Sequence, residues 1–168
     1  MTLYIMCGVG FSGKSTLAKS IAAHFAIPLV SLDSLYFEHE KELEDTHYDD
    51  AKQWKILLEM SKEKIRGLLI EKTSVVFDNV NLIRKHRDEL RELARQTGAN
   101  AVVVYLDTPE DLLTERQTKN KETEERHDVE QHYLDEAKKQ LEIPSAEEAV
   151  YAFTPGTDVE KFLQQLPR

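Results

Sequence analysis

Short apolar runs alternate along this chain with longer stretches of helical period. Leu3–Cys7 is an unbroken apolar run containing Tyr and Ile, and it reads as a buried strand. A glycine-rich turn follows. Beyond it Leu17, Ile21, Ala22 and Phe25 recur at helical spacing, so Lys14–Phe25 reads as a helix ended by Pro28. Leu29–Leu32 reads as a second short strand. Asp50–Glu71 carries Trp54, Leu57, Leu58, Ile65, Leu68 and Leu69 on one stripe, the pattern of a long amphipathic helix. Ser74–Phe77 is a β-rich run ending in Asp78. Leu82–Gln96 turns Ile83, Leu90, Leu93 and Ala94 inward, with Gly98 as its C-cap candidate. Ala101–Leu106 (AVVVYL) is the clearest buried strand. Pro109–Lys121 begins as a helix with proline in its first turn. Val129–Leu141 reads as a further helix, Ala149–Phe153 as a last strand and Val159–Leu166 as a last helix.

Alternating strands and helices predict an α/β fold, a parallel sheet with helices on both faces. Such a sheet binds ligands outside the carboxyl ends of its strands. Two stretches are too polar for a core. Glu38–Asp50 holds seven carboxylates and one lysine, and Thr118–His132 mixes charges of both signs. Each reads either as a solvated loop or, functionally, as a substrate-side loop and a mobile lid.

Composition narrows the class. A chain of 168 residues with 40 % apolar side chains supports one domain and one core. Its net charge of −9 excludes bulk attraction to a nucleic-acid backbone, so any such contact needs a local basic site. The single cysteine, Cys7, excludes an internal disulfide framework and fits a reducing, cytoplasmic setting. No apolar run reaches the length of a membrane span, and MTLYIMCGVG has neither a basic segment nor a long apolar core of the secretory kind. The six histidines show no metal-binding spacing.

The candidate chemistry starts at Gly8-Val9-Gly10-Phe11-Ser12-Gly13-Lys14-Ser15. It matches G-x-x-x-x-G-K-[ST] between a predicted strand and a predicted helix, as a phosphate-binding loop requires. Gly8, Gly10 and Gly13 let the backbone curl so that the amides of the loop, including Phe11 and Ser12, face phosphate oxygens. The helix N-terminus adds its positive end. Lys14 supplies a point charge for the β- and γ-phosphates, Ser15 a hydroxyl for Mg²⁺ and Thr16 a bond to the α-phosphate. Cys7, beside the loop, reads as a small buried residue. Asp78 closes its strand in the position suited to Mg²⁺, or else serves as a turn or helix cap. Asp33 closes Leu29–Leu32, where a carboxylate either accepts the proton of an acceptor hydroxyl or caps a helix through Leu35 and Phe37. Arg84 and Arg87 share a helix face. They read either as contacts to acceptor or γ-phosphate or as surface ion pairs with Asp88, Glu89 and Glu92.

GVGFSGKST, LVSLD, VVFDNVNLIRKHRDEL, VVVYLDTPEDLLTERQTKN and LEIPSAEEAV occur in that order. Together they resemble the P-loop kinases related to polynucleotide 5′-hydroxyl kinase, many of them labelled AAA-type ATP-binding proteins. Zeta-toxin-like and chloramphenicol phosphotransferase-like kinases are more distant relatives. The resemblance implies a three-layer P-loop NTPase sandwich, a five-stranded parallel sheet in the order 2-3-1-4-5 and a helical lid near 118–132. It implies transfer of the γ-phosphate of Mg-ATP to a hydroxyl, with Asp33 as general base. It sets Arg116 against the nucleotide near the adenine, and Thr154, Pro155 and Gly156 on the adenine border.

Two positions depart from that family. Tyr36 stands where its polynucleotide kinases carry an arginine that grips the nucleic acid. Asn120 stands where they carry a second lid arginine, leaving Lys119, Lys121 or Arg126 to supply that charge, with Arg126 as the candidate catalytic cation. With the acidic segment beside the acceptor pocket, these departures favour a small molecule or nucleoside over a polynucleotide end. The guanine-specifying N-K-x-D motif is absent, which favours ATP. Two other classes stay open: a nucleotide-binding switch or slow ATPase acting through a protein partner, and a toxin-like sugar-nucleotide kinase.

Overall fold

The computed structural model describes residues 1–45, 50–123 and 129–168. The strands are β1 (Thr2–Cys7), β2 (Leu29–Ser31), β3 (Val75–Asp78), β4 (Asn100–Leu106) and β5 (Val150–Phe153). They form one five-stranded sheet in the order β2-β3-β1-β4-β5, and every neighbouring pair is parallel. The helices are α1 (Lys14–Phe25), α2 (Leu32–Asp45), α3 (Asp50–Ile70), α4 (Arg84–Gln96), α5 (Glu110–Thr123), α6 (Gln131–Gln140) and α7 (Val159–Leu163).

The period of two along β1 divides the core. Leu3, Ile5 and Cys7 point to one face, where they meet Leu35 and Leu43 of α2, Leu57, Ile65 and Leu69 of α3, and Leu90, Leu93 and Ala94 of α4. Tyr4 and Met6 point to the other face, onto Leu17, Ala18 and Ile21 of α1 and Phe162 and Leu163 of α7. The result is a three-layer sandwich, a parallel sheet between two layers of helices. Each of these buried large side chains contributes about 1.5–3 kcal/mol relative to exposure. Among the described residues, no helix is long and apolar enough to cross a membrane.

The structure revises the polar stretches. The acidic segment is a continuation of α2 as far as Asp45 rather than a loop. Leu32, Leu35 and Leu43 lie at helical intervals and are all buried, so their burial holds the helix despite its charge. Residues 118–123 continue α5, and 131–132 begin α6. The first helix has the predicted bounds, Lys14–Phe25, but Ala26 in the left-handed conformation (φ 53°) ends it two residues before Pro28. The last helix is five residues long, yet Leu166 beyond it is still buried against α1 and β1. Gly98 follows α4 at φ 72° and supplies the expected left-handed turn.

Candidate active site

The loop from Gly8 to Gly13 joins the carboxyl end of β1 to the N-terminus of α1. Gly8 N–H donates to Val80 O at 3.1 Å, and Ser12 N–H to Val9 O at 3.4 Å. Gly13, the residue before α1, has φ 98°, and a Cβ there would lie 3.3 Å from Arg116 Nη1. Its dihedral is one that favours glycine, and Arg116 leaves little room for a side chain. Phe11 also takes a left-handed conformation (φ 62°) and is buried. Lys14 is 8 % exposed, and its Nζ donates to Val9 O at 2.7 Å, so the ammonium lies folded over the loop. Ser15 and Thr16 follow in the first turn of α1.

Helix α5 braces this loop. Arg116 Nη1 donates to Phe11 O at 3.1 Å and to Ser12 O at 2.9 Å, while Thr108 Oγ1 donates to Ser12 O at 3.0 Å. Beside the brace lies a cavity of about 470 Å³, walled by Gly13 and Thr16 on the loop side, by Arg116, Lys119 and Asn120 of α5, and by Phe153, Pro155 and Gly156 after β5. Pro155 and Gly156, which the resemblance sets on the adenine border, line this cavity. Thr154 is not among the lining residues, and Thr157 stands there instead. Asn120, at the position of the second lid arginine, is buried in this wall. Among the described residues, Lys119 lines the cavity and Lys121 does not. Arg126 lies outside the described residues.

The acidic candidates lie on the other side of β1. Ser31 of β2 pairs with Asp78 of β3, and Ile5 of β1 pairs with Phe77. Asp78 therefore ends β3 between the phosphate loop and β2, and it is buried. Asp33, two residues past Ser31, is exposed in the first turn of α2. Asp33, Asp78 and Lys14 thus belong to three adjacent carboxyl ends of the sheet. Tyr36 lies one turn beyond Asp33 and stacks on Trp54 with ring centres 5.9 Å apart.

The two arginines of α4 differ from the substrate-contact expectation. Arg87 is fully buried. Its Nε donates to Glu148 Oε2 at 2.6 Å, its Nη2 to Glu148 Oε1 at 3.1 Å, and its Nη1 to Asn81 O and Leu82 O at 3.0 and 2.7 Å. With that set of bonds it cannot reach a substrate, and the substrate role is corrected to a structural one. Arg84 is partly exposed and pairs with Glu147 at 2.8 Å and Asp88 at 3.5 Å. Asp88 is the partner expected from the sequence, whereas Glu147 is remote in the chain.

Burial raises the Glu148 carboxyl, but the Arg87 bond and the Ser145 amide outweigh it and hold the group below its ordinary range. Burial pushes the Cys7 thiol up to about 11, against the lowering pull of Arg87 and Lys14, so it stays protonated near neutrality. Asn81 ties this turn to the sheet: its Nδ2 donates to Met6 O at 2.7 Å.

One further contact had no signal in the motif. A Cβ at Gly10 would come within 2.7 Å of Leu134 Cδ2. Leu134 of α6 packs with Val9, Phe11, Leu82 and Leu113, an apolar cap over the phosphate loop.

For Mg²⁺, the oxygen donors expected from the sequence are the hydroxyl of Ser15, in the first turn of α1, and the carboxylate of Asp78, at the end of β3. A hard cation that takes its remaining ligands from phosphates and water suits such a pair. Among the described residues there is no group of three or more His, Cys, Asp or Glu side chains arranged to hold a metal by themselves.

The family model AAA_33, described as an AAA domain, matches residues 3–144. Two proteins of rice, from Oryza sativa subsp. indica and subsp. japonica, each called Protein KTI12 homolog, are 28 % identical over 129 residues. That match spans 73 % of this chain and 41 % of theirs, so the chain corresponds to about two fifths of their length. Among solved structures, Chaetomium thermophilum Kti12 in complex with ADP-AlF3 superposes with a TM-score of 0.76 at 18 % identity, over 97 % of this chain and 94 % of that one. A gluconokinase from Sinorhizobium meliloti 1021 superposes with a TM-score of 0.67 at 24 % identity, over 97 % and 87 %. At these identities the structural likeness establishes a P-loop kinase fold.

Proposed function

The chain belongs to the AAA_33 family of AAA domains, and from that premise we propose that it is an ATP-dependent phosphotransferase acting on a hydroxyl acceptor. The observation that carries the reading is the order of groups across the sheet. A cavity suited to a nucleoside lies on the β4–β5 side of the phosphate loop, and two aspartates lie on its β3–β2 side. That order matches what in-line transfer needs: donor on one side, acceptor on the other, and the phosphoryl group moving between them.

Residues 1–168 then act as one P-loop kinase-like domain with its lid near 118–132. The loop amides and the N-terminus of α1 hold the phosphates. Lys14 leaves Val9 O and meets the charge on the transferring group. Arg116 keeps the loop in shape and closes the nucleoside cavity. Asp33 takes the acceptor proton. Ser15 and Asp78 would hold Mg²⁺, which when bound neutralises charge on the β- and γ-phosphates. Lys119 and Arg126 are the lid cations. The acidic face of α2 favours a small molecule over an extended polyanion.

The test uses γ-labelled ATP with a 5′-hydroxyl oligonucleotide and a desalted metabolite extract as parallel acceptors. Asp33→Asn is expected to lose about 10²- to 10⁴-fold in transfer while still binding ATP. Lys14→Ala is expected to lose ATP affinity and transfer together. Retained transfer in Asp33→Asn removes that residue from the role of base.

A second reading is favoured by the Kti12 likeness and by Asn120 in place of the lid arginine. It makes the chain a nucleotide-dependent switch or slow ATPase acting through a protein partner. ATP hydrolysis without any labelled acceptor, together with a partner captured only in one nucleotide state, selects this reading.

A further inference from the structure

The helix that carries Asp33 also carries an exposed aromatic strip. Tyr36 and Phe37 follow Asp33 by three and four residues, one turn along α2. Tyr36 stacks on Trp54 of α3 at an interplanar angle of 20°, and Phe37 meets Tyr36 edge-on with ring centres 5.6 Å apart. Phe37 is 59 % exposed and Trp54 43 %, although the core beneath takes Leu35, Leu43 and Leu57. Glu40 follows Tyr36 by four residues and Phe37 by three, so carboxylates bracket the strip one turn before and one turn after. Neither Asp33 nor Glu40 makes an ion pair among the described residues, whereas Glu42 is engaged by His39 at 2.9 Å. Lys41 is the one lysine in the sequence of α2.

Aromatic faces carry negative charge density, and carboxylates beside them add to it. Together they attract an organic cation and repel an anion. An anionic acceptor, a polynucleotide above all, meets the opposite of charge complementarity here.

We propose that this strip is the acceptor subsite and that the acceptor is a hydroxyl compound bearing an organic cation, an ammonium or a guanidinium, within a few bonds of the hydroxyl. The proposal rests on the phosphotransferase reading with Asp33 as base. The cation lies on Phe37 and Trp54 and faces Glu40, and this sets the hydroxyl at Asp33. In the transfer step the acceptor oxygen forms a bond to the γ-phosphorus of ATP, the bond from that phosphorus to the β–γ bridging oxygen breaks, the hydroxyl proton goes to the Asp33 carboxylate, and ADP leaves.

Trp54 is the single tryptophan of the chain, so its fluorescence reports on this strip alone. The full chain with ATP and Mg²⁺ is titrated with two matched pairs of probes. One is choline against its uncharged carbon isostere, 3,3-dimethylbutan-1-ol. The other is the dipeptide Arg-Ser against citrulline-Ser. The proposal expects at least one cation to perturb Trp54 at concentrations about tenfold lower than its neutral isostere, consistent with a cation on partly desolvated rings. Phe37→Ala and Glu40→Gln, both at exposed positions, are expected to keep the circular dichroism spectrum and lose that preference. Equal responses within both pairs, or no response to either cation, overturn the proposal whatever the kinase assay shows. A cation preference that is lost in both variants but brings no phosphorylated product keeps the cation subsite and overturns the phosphotransferase reading. Phosphorylation of the neutral isosteres as readily as of the cations keeps that reading and overturns the subsite.

Discussion

Two charged regions flank the phosphate loop, and they use the same residue types to opposite ends. Under the loop, Arg87 and Glu148 are withdrawn from solvent and bonded to each other through two contacts. On α2, Asp33 is exposed and has no ionic partner among the described residues. The first region ties α4 to the short 3-10 turn Ala146–Glu148 and, through Asn81, to the end of β1. The second leaves Asp33 and Glu40 to solvent. A buried pair is strongly destabilised when one partner is removed, because the other charge is left without compensation. An exposed charge is stabilised by water and costs the fold little when lost.

Breaking the buried region carries the largest expected effect. Arg87→Ala is expected to lose about 3–5 kcal/mol of unfolding free energy, read from urea denaturation. Asp33→Ala is expected to stay within about 0.5 kcal/mol of the parent chain. Arg84→Ala, three residues before Arg87, is expected to leave the urea midpoint unmoved, since its partners Glu147 and Asp88 are solvated. If Arg84→Ala matches Arg87→Ala, burial is not what separates the two regions.

The loop itself gives a second, smaller test. Gly10→Ala places a methyl group 2.7 Å from Leu134 Cδ2, so the Leu134 side chain, α6 or the loop must shift. Overpacking of this kind costs about 1–3 kcal/mol, which converts to roughly 5- to 150-fold in ATP affinity if the loop is what moves. Leu134→Ala makes room, and the double variant is expected to recover most of the loss by isothermal titration calorimetry. Absence of recovery would show that Gly10 is required for its approach to phosphate rather than for the fit of α6.

Much of this was legible in the residues, and what escaped has physical causes. The strands announced themselves because apolar runs between helical periods have few other uses, and the phosphate loop because its glycines and lysine sit at fixed spacing. The strand order came from resemblance, since periodicity carries no information on which strands are neighbours. The helical character of the acidic segment was masked by its charge, yet Leu32, Leu35 and Leu43 already lay on one helical stripe. The burial of Arg87 had a signal too. It falls three and seven residues before Leu90 and Ala94, on the inward stripe of α4. Its partner had none: Glu148 lies sixty-one residues away, beyond α5 and α6, and only the fold brings it back. The contact of Leu134 with Gly10 escaped for the same reason.

The smallest effect is in the pH dependence of the buried pair. The Glu148 carboxyl in the folded chain titrates below the ordinary value of 4.5. Over the interval between the two values, the unfolded chain binds a proton that the folded chain does not, and folding is penalised as the solution becomes more acidic. The contribution of Glu148 is therefore fully present above about 4.5 and is lost as pH falls through the folded value. Glu148→Gln has no such proton to take up. The stability gap between parent and variant is expected to be constant near neutrality and to narrow progressively below about pH 4.5, measured by urea denaturation across a pH series. A gap that widens on acidification would mean that Glu148 titrates above its ordinary range, with burial outweighing the arginine. The buried region would then resemble a strained site rather than an anchor. A gap that narrows leaves Arg87 and Glu148 as a charge pair fixed by the fold, against which Asp33 and Glu40 of α2 stand exposed.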